Sequence, residues 1–189
     1  MLPRMAIVDI ETTGGSAAFD RIIEIGVFVV EDGMIIESFE TLINPERPIP
    51  GFITAMTGIK SSDVASEPLF LDIAHTLERL FRDAVFVAHN ASFDYSFIAR
   101  EFARIGRSFE MPRLCTVRLS RRLFPQYPRH NLDSIIRRFN LGIDRRHRAA
   151  DDARMLYEFL SICESHHGIA SLADAVQKIS GVPPARATI

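Results

Sequence analysis

Three extended apolar runs follow one another before any helical period appears in this chain. "RMAIVDIE" (4–11), "RIIEIGVFVVED" (21–32) and "MIIESFETLIN" (34–44) are rich in Ile, Val and Phe, which suit a pleated, half-buried surface. The "EDGM" junction between the second and third carries the Gly turn of a β-hairpin. "NPERPIPGF" (44–52) is Pro-punctuated loop. The period then changes. "SEPLFLDIAHTLERLF" places Leu69, Ile73, Leu77 and Leu80 at helical spacing. "AVFVAHN" (84–90) is a short buried strand. "SFDYSFIAREFARIG" (92–106) is a helix, with Ser92 expected as its N-cap and Gly106 as its stop. "TVRLSRRLF" and "NLDSIIRRFN" are short helices. "AADDARMLYEFLSICE" (149–164) is a longer one, apolar at Ala149, Ala153, Leu156, Tyr157 and Leu160. A meander followed by alternating strands and helices predicts an α/β fold, a mixed sheet flanked by helices.

The length, 189 residues, fits one domain plus a short appendage, and no internal repeat is present. No run reaches the roughly 20 apolar residues of a membrane helix. The longest, "IIEIGVFVV" (22–30), carries Glu24 and reads as a buried strand. The opening "MLPRMAIVD" lacks the apolar core of a signal peptide. Cys115 and Cys163 have neither CxxC nor zinc spacing. A reducing, cytoplasmic location with no membrane association is the expectation. The net charge of −2 hides an asymmetry: residues 100–154 hold 14 Arg against six acids, and the remainder is strongly acidic. Most single arginines read as solvated helix faces. As a group they favour a polyanionic partner, because the guanidinium fork suits phosphate oxygens.

Carboxylates stand where packing gives no reason for them. Asp9 and Glu11 end the first strand, two residues apart and so on one face. Asp94 follows the "AVFVA" strand in the first turn of a helix. Asp152 opens the long helix, with His147 five residues before it. Singly, Asp94 and Asp152 read as helix N-terminal acids, and His147 as a loop histidine. An arginine would balance the Asp9–Glu11 pair. Jointly they gather at the sheet edge where α/β proteins bind ligands. Four carboxylates there call for cations. Oxygen donors favour Mg²⁺ or Mn²⁺ over Zn²⁺.

"DIETTG", "AHNASFD" and "HRAADDA" resemble the three motifs of the DEDDh 3′–5′ exonucleases, the family of the DNA polymerase III epsilon proofreading subunit. "RIIEIG", "INPERPIP", "TGI" (57–59) and "HNLDSI" add to the match, which runs from about Met5 to Leu160. The resemblance implies a ribonuclease-H-like five-stranded sheet. It implies two Mg²⁺ or Mn²⁺ ions on Asp9, Glu11, Asp94 and Asp152, with His147 as general base. The H-x₄-D spacing selects Asp152 over its neighbour Asp151. It further implies substrate contacts from Thr12, Thr13, Ile59, Asn90 and Phe93. For Ile59 and Phe93 the competing reading is ordinary core packing. The substrate would be a DNA 3′ end, single-stranded or frayed, and the products nucleoside 5′-monophosphates. Oligoribonuclease or RNase T-type action on RNA, or a non-catalytic nucleic-acid-binding module, are the alternatives. Residues 1–165 would form the exonuclease domain. Residues 166–189 would be a C-terminal helix and tail, leading to a polymerase partner or a fused module.

Overall fold

The computed structural model describes residues 1–142 and 148–183. A five-stranded mixed sheet forms its centre. Strands β1 (Met5–Thr12), β2 (Ile22–Glu31) and β3 (Met34–Leu42) make an antiparallel meander. Asp32 and Gly33, both at positive φ, close the β2–β3 turn, the backbone a two-residue hairpin needs. Strands β4 (Val85–Ala88) and β5 (Arg113–Cys115) add in parallel on the other side of β1. The order is β3-β2-β1-β4-β5, so β1 is the central strand.

Helices cover both faces. On one, α3 (Phe70–Phe81) and α4 (Ser92–Arg104) bury Ile73, Leu77, Phe97 and Phe102 against Ala6, Val8, Ile10 and Val27. On the other, α5 (Thr116–Leu123), α6 (Leu132–Phe139) and α7 (Ala149–Ser180) bury Leu119, Ile135, Leu156 and Phe159 against Met5, Ile7 and Val87. The split follows the side-chain alternation of β1. The remaining helices, α1 (Gly51–Thr57) and α2 (Ser61–Val64), enclose a smaller cluster of Ile23, Ile49, Ile53, Ile59 and Val64. Among the described residues no helix is long and apolar enough to cross a membrane.

The structure amends the sequence reading in places. Helix α1 begins at Gly51, inside the stretch expected to be loop. The fifth strand is only three residues long and carries no readable alternation. Ser92 is not an N-cap: Ala91 holds that position without a side-chain bond, and Ser92 is the first helical residue. Gly106 does follow the end of α4, at φ +75°. Helix α7 runs past residue 164 to Ser180, broken at Gly168 by non-helical backbone. Beyond that break Leu172, Ala175 and Val176 pack into the same cluster as Leu156.

Candidate active site

The centre of the site is the last part of β1. Parallel pairing with β4 covers only Met5 to Ile7, whereas pairing with β2 continues, with Asp9 opposite Gly26 and Glu11 opposite Glu24. A register shift follows Glu11. Asp9 and Glu11 therefore project from the sheet on the α7 side, beyond the point where β4 has turned away. Helix α7 brings Asp152 to them. Carboxylate oxygens of Asp9, Glu11 and Asp152 all lie within 4.8 Å of one another. Glu11 and Asp152 are buried and Asp9 is half-buried. Like charges this close repel.

Asp94 arrives from the opposite face and is not a member of that trio. It is the third residue of α4 and 3% exposed. Its carboxylate accepts its own backbone N–H and that of Ile10, and burial pushes its pKa up to about 7. The contact with Ile10 sets it beside the strand that carries Asp9 and Glu11. Asn90, at φ +62°, turns the chain between β4 and α4, a conformation Asn tolerates; its carbonyl accepts the Phe93 N–H at 2.8 Å.

The expected substrate contacts are differently disposed. The Thr12 hydroxyl donates to the Gly14 carbonyl at 2.6 Å. The Thr13 hydroxyl donates to Asp20 and accepts the Arg21 N–H. Both side chains thus brace the loop after β1. Arg104 tightens that loop by donating to the carbonyls of Ala17, Ala18 and Asp20. Ile59 is 4% exposed in the small isoleucine cluster, so wedging a base there requires it to leave that packing. Phe93 is half-buried against Phe97, ring centroids 4.9 Å apart. Asn90 is exposed. His147 lies outside the described residues.

Glu24 was not singled out as a site residue. It is buried, and its carboxylate accepts from Arg148 Nε at 2.8 Å, Arg148 Nη2 at 2.6 Å and the Ala149 N–H at 2.9 Å. Its signal was a charge inside an otherwise apolar strand, the same one that drew attention to Asp9 and Glu11. Gly26, two residues on, is a close-approach glycine: a Cβ there would lie 2.6 Å from backbone atoms of Ala149 and Ala150. Several of the clustered arginines are likewise structural. Arg104 pairs with Glu101, Arg107 with Glu78, Arg122 with Asp174 and Arg148 with Glu24.

The family model described as exonuclease matches residues 6–160. The chain is 38% identical over 171 residues to a PolC-type DNA polymerase III of Caldanaerobacter subterraneus subsp. tengcongensis. That match covers 89% of this chain but 12% of the relative. Among solved structures it is similar to exonuclease X in complex with 5′ overhanging duplex DNA. The TM-score is 0.72 at 27% identity, covering 91% of this chain and 99% of that one. The fold is also that of E. coli exonuclease I in a zinc-bound complex with single-stranded DNA. There the TM-score is 0.80 at 16% identity, over 90% of this chain and 42% of that one. With three acids of its motifs drawn together on such a fold, and the family model spanning most of its length, the chain belongs to that exonuclease family.

Proposed function

We propose that this chain is a divalent-metal-dependent 3′–5′ exonuclease that removes nucleotides from DNA 3′ ends as nucleoside 5′-monophosphates. The observation that carries the reading is the trio of Asp9, Glu11 and Asp152, brought within 4.8 Å from positions far apart in the chain. The donor set fits the metal: all three offer carboxylate oxygens, which suit Mg²⁺ or Mn²⁺. Asp94, buried beside β1, supports the site as a further acid. Two such ions, when bound, supply Lewis acidity toward the phosphoryl oxygens and a water of lowered pKa. Asp9, Glu11 and Asp152 hold them. His147 acts as general base, taking the proton of the attacking water at its imidazole, a side chain that titrates near neutral pH in general. The exposed side chain of Asn90 and the half-buried ring of Phe93 contact the terminal nucleotides, and the backbone at Thr12 and Thr13 lies under them. Arginines between 100 and 154 other than Arg104, Arg107, Arg122 and Arg148 hold the phosphates without reading sequence. The similarity to PolC-type polymerases supports DNA as substrate and a polymerase, associated or fused, as partner, with proofreading as the role.

The test is trimming of matched DNA and RNA oligonucleotides labelled at either end, with Mg²⁺ or Mn²⁺. Label lost first from DNA 3′ ends is the expected result, with Asp9→Ala or EDTA reducing the rate to background. Activity that survives both rejects the metal site, and faster RNA trimming rejects DNA as substrate. For His147→Ala the rate should fall about 10²–10⁴-fold and lose its acidic limb. An unchanged limb removes His147 as the base.

A further inference from the structure

Glu24 takes no part in the hydrolytic chemistry above, yet it is 5% exposed and stands directly across the ladder from Glu11. A buried carboxylate is tolerated only when paired and hydrogen-bonded. Arg148 and Ala149, its hydrogen-bond donors, belong to the beginning of α7. Arg148 donates twice to Oε1, and the Ala149 N–H donates to Oε2. Arg148 is the N-cap of α7, and its own carbonyl accepts the Asp152 N–H at 3.0 Å. Glu24 therefore grips both the residue whose carbonyl holds Asp152 and the peptide unit next to it. At Gly26, opposite Asp9, a missing side chain lets the same turn of α7 lie against the sheet. The two β2 positions that face the acids of β1 thus both seat α7, one by charge and one by space.

We propose that Glu24 is a positioning residue for the metal site. Through Arg148 and the Ala149 N–H it registers α7 against β1, so that the Asp152 carboxylate meets Asp9 and Glu11. Its role is distinct from that of a ligand: Glu24 is outside the trio of mutually close carboxylates, and both of its oxygens are engaged by donors. The inference rests on reading that trio as a divalent-cation site.

The experiment is a Mn²⁺ titration of the metal-free protein, with free Mn²⁺ followed by electron paramagnetic resonance and folding by circular dichroism. Wild type, Asp9→Ala, Glu24→Gln, Arg148→Gln and the Glu24→Gln/Arg148→Gln double variant are compared. Each single change at the Glu24–Arg148 pair should weaken Mn²⁺ binding about 10–100-fold, as loss of a partner behind a metal ligand does. The double variant should bind no more weakly than the worse single, because one interaction is lost only once. Arg148→Lys keeps the charge without the fork and should fall between. Wild-type affinity in Glu24→Gln or Arg148→Gln overturns the proposal. So does a loss in Glu24→Gln alone with Arg148→Gln unaffected, which would make Glu24 a ligand. If Glu24→Gln does not fold, Arg148→Lys decides: undiminished affinity there overturns the proposal. Absence of Mn²⁺ binding by wild type sinks the metal-site reading and this inference together. Normal binding by wild type with undisturbed variants sinks this inference alone.

Discussion

Asp94 is a carboxyl group held where its anion is disfavoured. Burial raises its pKa to about 7, against the pull of two backbone N–H groups, while an exposed Asp titrates near about 3.9. The folded state therefore binds the proton more tightly than the unfolded chain. The stabilisation this gives is complete below about pH 4 and is lost as pH rises through about 7. In EDTA, the melting temperature of wild type should fall across that window. Asp94→Asn, which keeps an acceptor for the Ile10 N–H, should flatten the dependence and match or exceed wild type above pH 7. A wild-type profile level between pH 4 and 7 would contradict the burial account. The acids were legible because each broke an apolar pattern: Asp9 and Glu11 ended a strand, and Asp94 followed one. The brace at Thr13 was not, since its partners Asp20 and Arg21 become neighbours only once the loop has closed. The core packing of Ile59 stood as the competing reading and holds, although the partners Ile23 and Ile49 come from β2 and from the loop before α1.

Among the elements, β2 and α7 determine the site as much as β1. The glycine in "IIEIG" looks like a weak point in a strand, since Gly packs nothing and costs backbone entropy. The structure gives it a purpose that local sequence does not state: the peptide of Ala149 rests against it. Gly26→Ala should push the first turn of α7 outward and cost about 1–3 kcal/mol, the usual penalty of overpacking, read as a lowered urea midpoint. Because Asp152 sits on that turn, trimming of 3′ ends should fall more steeply than stability does. A variant with wild-type rate and midpoint would show that α7 does not need this approach. Strands β1 to β4 and helices α3 to α7 were readable from period and turn residues. Strand β5 and helices α1 and α2 were too short to display one, being held by what they pack against.

On the scale of the whole molecule, two apolar layers separated by the sheet carry the fold, and the acids come from both sides of it. Asp94 belongs to the α3–α4 side, while Asp9, Glu11 and Asp152 meet under α7. Phe159 lies at the middle of the second layer, fully buried beside Phe124 and Phe139. Phe159→Ala should cost about 3–5 kcal/mol by cavity formation, seen as a lowered urea midpoint. A loss below about 1 kcal/mol would mean the layer collapses to refill the space. The charge asymmetry predicted a polyanion-facing region. The fold spends part of that charge on its own acids, and Arg104, Arg107, Arg122 and Arg148 all have carboxylate partners. Helix α7 joins two duties, closing the second apolar layer and delivering Asp152. Translation reaches that helix last among the elements that build the centre. A nascent copy still on the ribosome short of residue 149 carries the other acids without their companion and without the cover that fixes them. The trio of carboxylates is therefore complete only once synthesis has passed that point.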